Sequence, residues 1–301
     1  MLTGTVRTIA RVSRRLLPLR VVAGGLGLAA GVVALVAVLG MTGGWTPTGA
    51  GPGPAQASPA QSPPGPSTPW PSRRATTSAP RPLSVVGVGD SVAAGTSCDC
   101  APFVERFAEL VGTRDGRPTA AANLGLPGLT TGSLAAQLGQ PGPSRSVARA
   151  DLVVVTIGAN DLVPLEDQWE RAGCDPACMA PAVAAMGRGL AADLARIRAL
   201  GGSGQRVEVT TYWNVFEDGD VADRQRGAGF ADWSDRVTVA ANRVICATTR
   251  TYGGTCVDLY APFLSADGSR NPTSLLASDG DHPNAAGHAL IARALLAATP
   301  R

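Results

Sequence analysis

From Leu83 onward the chain alternates two hydrophobic patterns. Short apolar runs stand at 83–88 (LSVVGV), 119–124 (TAAANL), 151–157 (DLVVVTI), 206–212 (RVEVTTY) and 255–259 (TCVDL). Between them, apolar residues recur at helical spacing over about 101–112, 131–139, 179–200, 232–251 and 284–298. Pro283 and Asn284 suit the start of the last helix. Apolar runs without alternation fit strands covered on both faces. Their regular exchange with helices predicts an α/β domain built on a parallel sheet. The 219 residues of 83–301 are enough to bury a full core as one domain.

A different pattern precedes this domain. Residues 21–41 carry no charge. At about 1.5 Å per residue they would reach roughly 31 Å as a helix, the thickness of a bilayer core. Arg7, Arg11, Arg14, Arg15 and Arg20 stand before them. This asymmetry predicts a basic cytoplasmic segment over 1–20 and a transmembrane signal anchor over 21–41, with the rest outside the cell membrane. A cleaved secretory signal peptide is the alternative, and it also exports the remainder. Residues 42–82 hold 11 of the 24 prolines among Gly, Ser, Thr and Ala, so they read as a semi-extended linker.

Composition narrows the chemistry. All 26 basic side chains are arginine, so lysine Schiff bases and lysine-dependent phosphate loops are excluded. There are two histidines, His282 and His288, too few for a three-histidine metal site. Any histidine base is one of these two. Residues 1–82 carry eight arginines and no acid, which leaves 83–301 with a net charge of −5. Such a domain lacks the basic face that nucleic acid requires, and no nucleic-acid partner is expected. The six cysteines are even in number, as expected of disulfides in an exported chain. Their spacing favours Cys98–Cys100, Cys174–Cys178 and Cys246–Cys256, and it does not supply a zinc site. No metal or cofactor is expected, and the chain is expected to be a monomer.

In an open parallel sheet, ligands sit at the carboxyl ends of strands, so the residues after each strand matter most. Gly89-Asp90-Ser91 follows the first run, a loop ending at Gly128 the second, and Gly158-Ala-Asn160-Asp161 the third. Asp279-Gly-Asp281-His282-Pro283 precedes the last helix. Singly, each reads as a turn or a helix cap. Together they meet the needs of acyl transfer. A serine hydroxyl needs a base, the base needs a carboxylate, and the oxyanion needs donors already in place. Ser91, His282 and Asp279 supply the first three. The N–H groups of Ser91 and Gly128 and the amide of Asn160 supply the fourth. A Gly-x-Ser-x-Gly elbow is absent, since Gln205 breaks the run Gly201-Gly-Ser203-Gly204.

These four blocks stand in the order found in SGNH hydrolases, the GDSL esterase/lipase family, which 83–301 resembles over essentially its whole length. Secreted actinobacterial members look most alike. The resemblance implies a three-layer α/β/α, flavodoxin-like sandwich with a five-stranded parallel sheet in the order 2-1-3-4-5. It implies that Ser91 is the nucleophile, His282 the base, Asp279 its orienting acid, and Ser91, Gly128 and Asn160 the oxyanion hole. The activity so implied is extracytoplasmic hydrolysis of carboxylic esters of lipids or acylated carbohydrates. An O-acetyl esterase or acyltransferase of cell-wall or extracellular polysaccharide is the alternative, and a non-catalytic surface-anchored binding domain the rival of another class. Asp281 stands where the family often has an apolar residue, either competing for His282 or facing solvent. Trp213 and Asn214, after the fourth run, are candidate substrate contacts, with core packing the equal alternative for Trp213. Asp161 reads as loop support and His288 as structural or surface.

Overall fold

The computed structural model describes residues 81–227 and 229–300. The predicted basic segment, membrane anchor and all but the last two residues of the linker lie outside the described residues. Among the described residues no helix is long and apolar enough to cross a membrane.

The apolar runs become β1 (Leu83–Gly89), β2 (Thr119–Asn123), β3 (Leu152–Thr156), β4 (Arg206–Thr210) and β5 (Thr255–Val257). They form one all-parallel sheet in the order β2-β1-β3-β4-β5. The two valine-rich strands are central. Val85, Val86, Val88, Val153, Val154 and Val155 point alternately to both faces, and all are buried. The Ala-rich β2 takes an edge, where all five of its residues stay partly in water.

The connections are α1 (Ser91–Ala94), α2 (Phe103–Asp115), α3 (Thr131–Gly139), α4 (Pro141–Arg149), α5 (Ala159–Leu162), α6 (Pro164–Ala172), α7 (Pro176–Gly201), α8 (Gly219–Gln225), α9 (Phe230–Thr251), α10 (Tyr260–Leu264) and α11 (Ala285–Ala298). Helices α2 and α11 pack on one another, while α7 joins α3, α4 and α9 into a second group. Side-chain caps start several helices where the sequence places a small polar residue: Thr130 for α3, Asp175 for α7 and Asn284 for α11. Cys98–Cys100, Cys174–Cys178 and Cys246–Cys256 are disulfides, the last tying α9 to β5.

This strand order reverses direction at β1. The chain leaves β1 for β2 on one side and returns to β3 on the other, which opens a crevice beyond the carboxyl ends of β1 and β3. The turns that leave these two strands carry Ser91 and Asn160.

Candidate active site

Ser91 is placed by the turn that leaves β1. Gly89 has φ +134°, and a Cβ there would run into the carbonyl of Thr156. The adjacent Asp90 N–H donates to that same carbonyl at 2.9 Å. Asp90 then caps α1, its Oδ1 accepting from the Val92 N–H at 3.0 Å. The nucleophile candidate is thus the first residue of a helical turn locked to β3. The other oxygen of Asp90 accepts a hydrogen bond from the Tyr212 hydroxyl. Burial pushes the Asp90 carboxyl up to about 7, against the opposing pull of Tyr212 and the Val92 N–H. Burial and the neighbouring Asp90 likewise push the Tyr212 phenol upward.

The loop after β2 is pinned along its length. Asn123 Nδ2 donates to the Ala93 carbonyl at 2.8 Å, and Asn123 Oδ1 accepts from the Gly125 N–H at 3.0 Å. Leu126 N–H reaches the Gly89 carbonyl at 2.9 Å. Three residues on, Asn160 Nδ2 donates to the Leu129 carbonyl at 3.0 Å. Gly128 lies between these anchors at φ +76°, a left-handed conformation that side-chain-bearing residues adopt at a cost. Asn160 has two amide hydrogens, so one holds the Gly128 loop while the other is left for a ligand. Asp161 supports the same junction, accepting from Thr131 N–H at 2.9 Å and Thr131 Oγ1 at 2.6 Å.

The third part is a closed loop before α11. Leu276 and Pro283 pair as an isolated antiparallel bridge, and Ala277 N–H donates to the His282 carbonyl at 2.8 Å. Within it His282 Nδ1 lies 2.9 Å from Asp279 Oδ2. Asp279 Oδ1 accepts from the N–H groups of Asp281 and His282, each at 3.0 Å. Burial acts to raise the Asp279 carboxyl. The Ser97 hydroxyl, those two N–H groups and the His282 ring outweigh it and hold the group at about 2. Asp281 Oδ2 stands further from the imidazole, at 3.7 Å. Burial first, then Asp279, Glu217 and Glu166, push the Asp281 carboxyl up to about 6 against the pull of His282.

Ser91, Asn160, Asp90 and Asp281 line one cavity of about 50 Å³, together with Val163 and the segment 212–215. At about 10–15 Å³ for each water-sized group, it takes about three to five of them. Trp213 lines it but is 1 % exposed, stacked on Phe263 with ring centroids 4.3 Å apart. The candidate contact is therefore also a core residue. Asn214 lines the cavity too, yet its amide is engaged within the protein. It donates to Ser234 Oγ at 3.1 Å and accepts from Phe216 N–H and Thr238 Oγ1, both at 3.1 Å. Gly128 is not among the lining residues, and among the described residues no hydrogen bond joins Ser91 Oγ to His282. In unliganded enzymes such contacts are often long and tighten around substrate.

His288 takes no part in this set. It is fully buried, stacked on Phe103, and its Nδ1 accepts from the Phe103 N–H at 3.2 Å. Burial lowers its imidazole to about 4. Sequence reasoning missed Tyr212 and Ser97. A tyrosine at the end of a strand on the catalytic edge was a usable signal for the first. Ser97 depends on a left-handed backbone, φ +58°, that its sequence does not announce.

The model of the GDSL-like Lipase/Acylhydrolase family matches residues 88–290. Among solved structures, the lipase Lip_vut3 from a goat rumen metagenome superposes with a TM-score of 0.61 at 20% identity, over 72% of this chain and 97% of that one. An acetylxylan esterase from Geobacillus stearothermophilus gives 0.51 at 19% identity, over 71% and 93%. The α/β hydrolase LAE5 from a Lake Arreo metagenome gives 0.50 at 22%, over 72% and 94%. At these identities the likeness speaks to the fold. No curated protein matches the chain.

Proposed function

The chain belongs to the GDSL-like lipase/acylhydrolase family and is a carboxylic ester hydrolase. From that premise we propose that it is an extracytoplasmic serine esterase working through Ser91, His282 and Asp279. The observation that carries the reading is the meeting of Ser91 and Asn160 on one cavity that Asp281 also lines, the residue before a His282 held by Asp279 at 2.9 Å. Ser91 Oγ attacks the ester carbonyl carbon as His282 takes the hydroxyl proton. The oxyanion is received by the N–H groups of Ser91 and Gly128 and the second amide hydrogen of Asn160. The C–O bond to the alcohol breaks, and the alcohol leaves with the proton from His282. Water then attacks the acyl-enzyme by the same route and frees Ser91. Asp279, ionised above about 2, stabilises the imidazolium throughout neutral pH.

A short acyl group on a carbohydrate is the second reading, favoured by the cavity of about 50 Å³. The fold shared with an acetylxylan esterase agrees with it. The outward location rests on the uncharged residues 21–41 behind five arginines. The three disulfides of the domain agree with it.

The test is labelling by a fluorophosphonate probe together with hydrolysis of p-nitrophenyl acetate. Both should vanish in Ser91→Ala. Asn160→Ala should lower turnover by about 10²–10³-fold. A folded Ser91→Ala that hydrolyses ester at the original rate removes the reading.

A further inference from the structure

Ester hydrolysis leaves a second cluster of reactive side chains unused. Cys98 Sγ, Cys100 Sγ and His288 Nε2 all lie within 4.8 Å of one another. The two sulfurs are bonded as a disulfide that encloses only Asp99. Both cysteines are half-buried, so a small molecule can reach them, while His288 is fully buried.

The partners of His288 locate its proton. Nδ1 accepts from the Phe103 N–H at 3.2 Å, and burial keeps the ring neutral above about 4. The one ring hydrogen therefore sits on Nε2. This leaves Nε2 no lone pair for a metal and makes it a donor, and among the described residues it has no hydrogen-bond partner. A buried donor without an acceptor is costly. A disulfide sulfur is a weak acceptor, whereas a thiolate is charged and accepts more strongly. The closed bridge leaves this donor unmet, and an open one supplies its acceptor.

Two further features favour a thiolate here. Helix α2 starts at Phe103, three residues after Cys100, and its first N–H is the one that holds His288. Arg106 Nε donates to the Ala101 carbonyl at 2.7 Å, and its charge acts on the His288 ring. A helix N-terminus and a neighbouring cation both stabilise thiolates. The acids of this stretch oppose them, but Asp99 is exposed to screening water and Glu105 accepts from Asn123 Nδ2 at 3.5 Å.

We propose that Cys98–Cys100 is a thiol–disulfide exchange site for small thiols, in which the His288 Nε2–H receives the departing thiolate. The thiolate of a dithiol attacks one sulfur, the S–S bond breaks, and the other sulfur leaves with the electron pair. The second thiol of the reductant then attacks the mixed disulfide and frees the first cysteine. The cystine gains two electrons and two protons, and the dithiol leaves as its own disulfide. None of this depends on the role of Ser91.

The test equilibrates the purified full chain at about pH 7 in graded ratios of reduced to oxidised dithiothreitol. Samples are quenched in acid and alkylated, and the open fraction of each bridge is read from peptide masses. Cys98–Cys100 should open at a ratio about tenfold or more below that of Cys174–Cys178 and Cys246–Cys256, with the circular dichroism unchanged. His288→Asn keeps an acceptor for the Phe103 N–H and removes the Nε2 donor. In this variant the ratio needed for Cys98–Cys100 should rise about tenfold while the other two bridges stay where they were. If Cys98–Cys100 in the unmodified protein opens together with the other bridges or after them, the exchange site falls, and this comparison decides even where His288→Asn does not fold. If the pair opens first but at the same ratio in a folded His288→Asn, the part given to His288 falls and the proposal with it.

Discussion

Asp193→Asn should stabilise the protein at neutral and alkaline pH and leave it unchanged in acid. Asp193 lies within α7, fully buried, and neither carboxyl oxygen has a hydrogen-bond partner among the described residues. Burial, with a smaller contribution from Asp161, pushes this carboxyl from 3.8 up to about 8. The direction sets the sign. A carboxyl raised in the folded state contributes its stability below the unfolded value, near 4, and loses it as pH climbs towards 8. A shift of about four units at about 1.4 kcal/mol per unit sets a ceiling of roughly 5–6 kcal/mol. Relaxation and water penetration bring the realised value down to about 2–4 kcal/mol. That is a large part of the roughly 5–15 kcal/mol that holds an ordinary domain together. At a urea dependence of about 2 kcal/mol per molar, it moves the unfolding midpoint by about 1–2 M. The assay is urea unfolding of both proteins from pH 4 to pH 9. Glu208 and Asp90, each pushed up to about 7 chiefly by burial, titrate in both proteins and cancel in the difference. The two midpoints should coincide near pH 4 and separate steadily up to about pH 8. Parallel curves across this range would refute the account, because they would mean that Asp193 is solvated or paired when ionised.

Tyr212→Phe removes the hydroxyl that donates to buried Asp90, and it should cost about 1–3 kcal/mol. Because that hydroxyl favours ionised Asp90, the loss should be larger at pH 8 than at pH 5, and turnover should fall with it through the cap that holds Ser91; thermal unfolding and ester hydrolysis at the two pH values check this. Gly128→Ala meets nothing within 4 Å, so its cost is the left-handed backbone at φ +76° alone, about 1–2 kcal/mol. The anchors on either side hold the loop, so the change should appear in kcat as roughly a tenfold loss while the melting temperature moves by only a few degrees.

The legible parts of this protein are those a short stretch of chain decides. Each predicted strand appears within about two residues of its run, and for the central β3 the unbroken Leu152–Val155 already commits the chain to a sheet covered on both faces. Helix α11 begins where Asn284 promised a cap. The pairing of His282 with Asp279 is likewise local, three residues apart in one closed loop. Helix α4 escaped notice because its sequence, PGPSRSVAR, opens with turn-forming residues, and Pro141 at the first helical position is compatible with a helix as well as a turn. The short α6, α8 and α10 carry too few turns to build a periodic signal.

What the chain concealed is the second layer of support, and this has one physical cause. The Tyr212–Asp90 contact joins residues 122 apart, and Thr131–Asp161 joins residues 30 apart. Each links two loops at the crevice where the sheet reverses direction. A periodic pattern reports which face of an element is buried; it carries no information about which polar side chain waits across the crevice. Such partners matter more here than elsewhere, because a buried carboxylate without a donor is costly. Asp90 is buried beside the nucleophile and has its donors, whereas Asp193 is buried in a helix and has none. The same residue type in the same degree of burial thus separates into two classes. Asp90, supplied with donors, fixes the Ser91 turn. Asp193, without them, is a site where stability can be gained without touching the cavity that Ser91 lines.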